Sequence, residues 1–140
     1  MPVQLEMIKQ ASAEDLQDLI KIYQEHLNED EQKTENWLQQ QFNSSQRLFA
    51  GRFNSRLLGA VWVREQDSQH WQLTQLCVRA ITRRRGVARQ LMQLLANHAQ
   101  KQQLTLTVDA QSLPEELCPL LAELGFVHQH QQWLLAPKSN

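Results

Sequence analysis

The residues with the clearest chemical potential lie in Thr82-Arg83-Arg84-Arg85-Gly86-Val87-Ala88, which reads Arg-x-x-Gly-x-Ala and is followed by Arg89. Ahead of this stretch Leu73, Leu76 and Val78 are strand-like, and behind it Val87, Leu91, Leu94 and Leu95 recur at helical spacing. Gly86 therefore falls in the first turn of a helix, where unpaired N–H groups and the positive end of the helix dipole favour an anion. Glycine lets a phosphate approach the backbone, and Ala88 is the next smallest choice. Arg83, Arg84, Arg85 and Arg89 add fixed positive charge. The chemistry is that of a pyrophosphate cradle without a Walker lysine.

The elements that must position this loop are legible along the chain. Val3, Leu5 and Met7 alternate as a strand does, and Ser12 with Asp15 three residues on has the form of a capping box. The helix it opens carries Leu16, Leu19, Ile20, Tyr23 and Leu27 on one face. Asn28 to Thr34 has no apolar pattern and reads as a loop before a second short helix that buries Trp37, Leu38 and Phe42. Leu48 to Arg52 and Leu57 to Val63 form a hairpin around Phe53-Asn54-Ser55-Arg56, where Asn54 suits the left-handed conformation. A turn at Asp67-Ser68-Gln69 leads into Trp71 to Val78 as a third antiparallel strand. After the cradle and its helix, Leu104, Leu106 and Val108 form a strand ending at Asp109. Pro114 then starts a helix with Leu117, Leu120, Leu121 and Leu124 on its apolar face and Gly125 at its end. Phe126 to His130 and Gln131 to Leu135 complete a β-rich C-terminus. The fold class is α/β (α+β), a mixed central sheet flanked by helices in the order β-α-α-β-β-β-α-β-α-β.

A chain of 140 residues is the size of one domain, here 1–140. Its 14 basic and 15 acidic side chains leave a formal charge of −1, which gives no bulk attraction to nucleic acid or to anionic membrane. No aromatic is interleaved with the arginines, which also argues against a nucleic-acid reader. No run approaches the length of a membrane span, and Met1 to Gln10 lacks the order of a signal peptide, so a cytoplasmic location is expected. Cys77 and Cys118 are expected to be reduced thiols packed as small hydrophobes. His128 and His130 alternate and would share one face of a strand, but without a third ligand no metal site is expected.

The cradle between a strand and a periodic helix resembles the Gcn5-related N-acetyltransferase (GNAT) superfamily, as do the order of elements and the ending Leu124-Gly125-Phe126. That resemblance implies coenzyme A or acetyl-CoA as cofactor, with the pyrophosphate on Arg83, Arg84, Arg85, Gly86, Val87, Ala88 and Arg89. The strand at Leu76, Cys77 and Val78 would pair with the pantetheine arm. Acetyl transfer to an amine needs a proton acceptor and often an acid for the departing thiolate. The tyrosine that commonly serves as acid in that superfamily is replaced by Leu121. The only tyrosine is Tyr23, in the first helix, where it reads as a core-edge aromatic. Gln72, Thr74 and Gln75 stand where a carboxylate base is expected, and Glu65 reads as a surface charge. His26, His70 and His98 are not convincing bases, so no catalytic residue is assigned.

Within that superfamily, Arg52-Phe53-Asn54-Ser55-Arg56-Leu57-Leu58, Val78-Arg79, the cradle, Asp109-Ala110 and Trp133 are similar to the PanZ (PanM) family. The resemblance implies a regulator that promotes maturation of the aspartate decarboxylase zymogen and uses acetyl-CoA as a signal. Arg52, Phe53 and Asn54 would contact the zymogen, and a cation, an aromatic and an amide together on a turn can anchor an interface. The chain departs from the family pattern at Ala88 and Gln111, where glycine is usual, and in a longer Asn28 to Gln46 region. The alternative is an N-acetyltransferase acting on a small-molecule or protein amine. A monomer or weak homodimer is expected.

Overall fold

The structure is a computed structural model that describes residues 2–82 and 86–138, so the arginines at 83, 84 and 85 lie outside the described residues. The chain runs β1 (Gln4–Ile8), α1 (Ala13–Leu27), α2 (Glu31–Phe42), β2 (Arg47–Phe53), β3 (Arg56–Asp67) and β4 (His70–Val78). A 3₁₀ turn at Ala80–Thr82 leads to α3 (Val87–Gln102) and β5 (Thr105–Asp109). Two further 3₁₀ turns then precede α4 (Cys118–Glu123), β6 (Val127–Gln129) and β7 (Gln132–Leu135). The seven strands form one sheet in the order β1-β2-β3-β4-β5-β7-β6. All neighbours are antiparallel except β4 and β5, which are parallel. The expected fold class is what the structure has.

Side chains alternate across each strand, and here both faces are apolar, so the sheet builds two cores. Phe49, Val61, Val63, Leu73 and Leu76 pack with Leu91, Met92 and Leu95 of α3 and Leu121 of α4. On the opposite face Leu48, Ala50, Ala60, Trp62 and Cys77 pack with Leu19, Ile20, Ile22 and Tyr23 of α1 and Leu38 of α2. The result is two helices on each side of a sheet whose interior strand β3 is buried continuously from Leu57 to Val63.

Local sequence fixes most of the boundaries. Ser12 caps α1 by accepting from the Asp15 amide at 3.1 Å, as the capping-box spacing implies. Asn54 and Ser55 both take positive φ, 49° and 69°, as a two-residue type I′ hairpin turn requires. Two expectations need correction. Glu31 to Thr34 are helical, because Asp30 accepts from the Lys33 amide at 2.7 Å and caps α2 four residues earlier than the hydrophobic pattern suggests. His128 and His130 do not alternate on one strand. His130 and Gln131 take φ of 48° and 66° in a tight turn, and the His128 ring instead lies 5.0 Å from that of Trp133. Among the described residues no group of three or more His, Cys, Asp or Glu could hold a metal ion. No helix among them is long and apolar enough to cross a membrane.

Candidate functional site

The site is a wedge in the sheet. β4 and β5 pair from His70 with Thr105 to Leu73 with Val108 and no further. Opposite β3, Ala60 faces Cys77 while Trp62 faces Thr74, so the single residue Val61 opposes both Gln75 and Leu76. This is a β-bulge, which bends the bulged strand. Gln75 takes φ of 54° there, uncommon for a side chain other than glycine or asparagine. The β4–β5 register ends at Leu73, so Leu76, Cys77 and Val78, which follow the bulge, lie past the parallel seam.

This end of β4 borders a cleft of about 670 Å³, lined by Leu76, Cys77, Val78 and Thr82 from this segment and by Pro114, Glu116, Leu117 and Leu120 from the segment leading into α4. Gly86, Val87, Ala88 and Arg89 of the α3 N-terminus close one end. The volume is that of an ordinary small-molecule site. Among the described residues no side chain caps the α3 N-terminus, and the N–H groups of a helix's first turn favour an acceptor. Gly86 is required by its φ of 79°, and a Cβ built on it would meet no atom within 4 Å. Both the torsion and the open space fit an anion against the backbone, as a nucleotide diphosphate would need. Val87 is buried, with a methyl 3.3 Å from where a Cβ on Gly59 would lie. A side chain at Gly59 would meet a Val78 methyl at 2.8 Å as well, so it would press β3 against both β4 and α3. Arg89 is exposed and ion-paired with Glu123 of α4.

Three residues that sequence reasoning passed over or discounted meet at the bulge. Tyr23 is fully buried, and its hydroxyl donates to the Gln75 carbonyl at 2.8 Å. Burial first, and then the neighbouring Cys77, push its pKa well above the usual phenol range. His26 lines the cleft, with Nε2 2.9 Å from Oε1 of Gln75 and the ring edge-on to Tyr23. The Cys77 thiol donates to the Ile22 carbonyl at 3.1 Å. The only signal for His26 was its place three residues after Tyr23, one turn along the same helix face. Nothing in the residue types announced a bulge at Gln75.

Leu121, at the position where an acid was sought, is fully buried in the core and presents no proton donor. Glu65 is ion-paired with Arg47 at 2.8 Å at the other end of β3. His98 packs against the rings of Phe49 and Trp71. Neither Cys77 nor Cys118 is in a disulfide.

The turn carrying Arg52, Phe53 and Asn54 is held from below by ion pairs. Arg52 donates to both carboxylate oxygens of Asp15 at 2.9 and 3.0 Å, to Glu6 at 2.5 Å and to the Ser55 carbonyl at 3.1 Å. Arg56 donates to Asp18, whose side chain is only 1% exposed and also accepts from the Leu57 amide at 3.1 Å. Phe53 is half-buried and Asn54 exposed. Arg52 is thus engaged within the chain, while Asn54 presents its side chain outward.

A family model described as an acetyltransferase (GNAT) domain, PanZ, matches residues 2–134. The protein named PanD regulatory factor from Salmonella typhimurium is 36% identical over 95 residues, covering 65% of this chain and 72% of that one. Among solved structures, YhhK from E. coli, determined in solution bound to coenzyme A, is 26% identical with a TM-score of 0.70, covering 97% and 99% of the two chains. An aminoglycoside 6′-acetyltransferase of type Ii has the same fold, with a TM-score of 0.79 at 12% identity over 98% and 99% of the two chains.

Proposed function

The chain belongs to the PanZ family of GNAT acetyltransferase domains, and from that membership we propose that it is an acetyl-CoA-responsive regulator that promotes maturation of the aspartate decarboxylase zymogen. Coenzyme A brings an anionic diphosphate at one end and a thiol or thioester at the other. Gly86, Val87, Ala88 and Arg89 hold the diphosphate, joined by Arg83, Arg84 and Arg85, and the stretch of β4 past its seam with β5, at Leu76, Cys77 and Val78, receives the extended arm. The turn of Arg52, Phe53 and Asn54 faces the zymogen, with Arg52 positioning the turn and Phe53 and Asn54 making the contact. The protein works in the cytoplasm, which suits two thiols outside any disulfide, as a monomer or weak homodimer.

The observation that supports this reading is a cleft bordered by Leu76 to Val78 and Gly86 to Arg89 in which Leu121, at the expected acid position, is core and the Tyr23 hydroxyl is engaged by Gln75. The test is to mix purified protein, acetyl-CoA and the zymogen, and to follow self-cleavage and complex formation. Faster cleavage and a complex are expected. An unchanged cleavage rate with no complex would end this reading. A sensor must also bind acetyl-CoA and free coenzyme A with different free energies.

One observation favours a second reading, acetyl transfer to a small-molecule or protein amine. His26 stands in the cleft wall with one ring nitrogen fixed by Gln75, the arrangement of an oriented proton acceptor. Cofactor-dependent acetylation in an amine screen, lost in His26→Phe, would establish it.

A further inference from the structure

We propose that His26 sets the length of acyl group that the cleft accepts, admitting an acetyl thioester and refusing longer chains. This rests on the cofactor placement in the regulatory reading above. β4 runs from His70 to Val78 and is followed, past the Ala80–Thr82 turn, by the start of α3 at Val87. A diphosphate held at Gly86 to Arg89 therefore lies beyond the Val78 end of β4, and an arm laid back along Val78, Cys77 and Leu76 runs toward the bulge at Gln75. At about 3.3 Å per residue that path follows about 10 Å of strand. The far end of the arm carries the sulfur and any acyl group attached to it. The acyl group thus arrives beside Gln75 and the residue bonded to it, His26.

The ring is held at that place. Nε2 lies 2.9 Å from Oε1 of Gln75, and the ring meets Tyr23 edge-on with centroids 6.4 Å apart. Gln75 is fixed in turn by its place in the bulge and by the Tyr23 hydroxyl, which donates to its carbonyl at 2.8 Å. The support beneath is core: Tyr23 is fully buried, its ring lies 5.2 Å from that of Trp37, and Trp37 packs edge-on to the buried Trp62. His26 itself is half-buried and lines the same cleft as Leu76, Cys77, Val78 and Gly86. A chain longer than acetyl must enter the volume of the ring or push it off both contacts, and overpacking a held site is unfavourable. The nucleotide and the arm are common to every acyl-CoA, so the cradle cannot tell one from another. Selectivity among them needs an unfavourable contact at the acyl end, and His26 supplies it.

The test titrates coenzyme A, acetyl-CoA and butyryl-CoA by calorimetry into the full chain and into its His26→Ala and His26→Phe variants. Wild type is expected to bind acetyl-CoA about tenfold or more tighter than butyryl-CoA. His26→Ala should bring the two within about threefold of each other. Its affinity for coenzyme A, which carries no acyl group, should stay within about twofold of wild type, reporting an intact cleft and fold. His26→Phe keeps a ring without the bond to Gln75 and should keep the preference for acetyl-CoA. Equal affinities in wild type, or an undiminished preference in His26→Ala, overturn the inference. A preference lost in His26→Phe as in His26→Ala also overturns it, because the hydrogen bond and not the ring would then be the gauge. So does a loss of coenzyme A affinity in His26→Ala, which would make His26 part of the hold on the cofactor itself. A wild-type protein that binds no coenzyme A overturns both this inference and the regulatory reading. All of these outcomes are read without the zymogen, so they stand apart from its self-cleavage.

Discussion

Asp15 and Arg52 lock the first turn of α1 to the end of β2 through two parallel N–H···O bonds of 2.9 and 3.0 Å. The pair is mostly buried, with side-chain exposures of 14% and 23%, and Glu6 adds a second carboxylate to the same guanidinium. The hydrogen bonds to Asp15, and then to Glu6, raise the Arg52 pKa further, so the cation is permanent. Arg52→Ala is expected to cost about 1–3 kcal/mol by leaving Asp15 without its fork. Arg52→Lys should rescue little, because a point charge cannot span both oxygens. Chemical denaturation of the two variants checks this.

Asp18 gives the fold an acid limb. Burial alone would raise its pKa, but the hydrogen bonds from Arg56 and the Leu57 amide, with the charges of Arg56 and Arg79, lower it below the ordinary 3.8. A depressed folded-state value means that the stabilisation is present above the unfolded value and is lost as pH falls through the folded one. Asp18→Asn should therefore be less stable than wild type at neutral pH by about 1–3 kcal/mol. The gap should narrow below pH 3.8. Urea midpoints measured from neutral to acid pH decide it.

Tyr23 works in the opposite direction. Its pKa is raised well above 10.0 by burial first and then by Cys77, so the contribution holds below the unfolded value and is lost as pH rises toward the folded one. It is the chain's one tyrosine, so the phenolate absorbance reports this residue alone. No phenolate signal is expected near pH 10.0 while the protein is folded, and its appearance should coincide with alkaline unfolding. Tyr23→Phe should leave the Gln75 carbonyl unpaired and cost about 1–3 kcal/mol.

Gly86→Ala separates folding from ligand binding. The positive φ of 79° costs an alanine about 1 kcal/mol, while the added methyl meets no atom within 4 Å among the described residues. Thermal unfolding should shift by only a few degrees, about 2–4 °C at this size. Coenzyme A affinity should fall about tenfold or more, because the methyl enters the space where a phosphate would approach. Calorimetry beside a melting curve tests both halves.

Sequence legibility followed the range over which each feature is determined. The Ser12 cap, the Asn54 turn and the apolar spacing of α3 are written in neighbouring residues, and they stand where the spacing places them. The place of Gly86 at the start of α3 was legible for the same reason, since a glycine between a strand and a periodic helix is a local pattern. The bulge at Gln75 was not, because it depends on how β4 registers with β3. His26 gains meaning only through that bulge. Asp18 gave no warning either. It sits one residue before Leu19 on the apolar side of α1, and its burial depends on Arg56 arriving from a distant hairpin. The α2 start was misjudged because a polar first turn hides from hydrophobic periodicity, while Asp30 supplied a capping signal.

The parallel seam between β4 and β5 joins only His70 through Leu73 to Thr105 through Val108. Everything on one side of it, β1 to β4, and everything on the other, β5 to β7, meets in the sheet at that short pivot, like two scissor blades with a low rivet. A molecule lying between the blades acts as a strut. Amide exchange along the rivet would then slow when coenzyme A is present, although the ligand need not touch it, because opening the blades requires the strut to leave first.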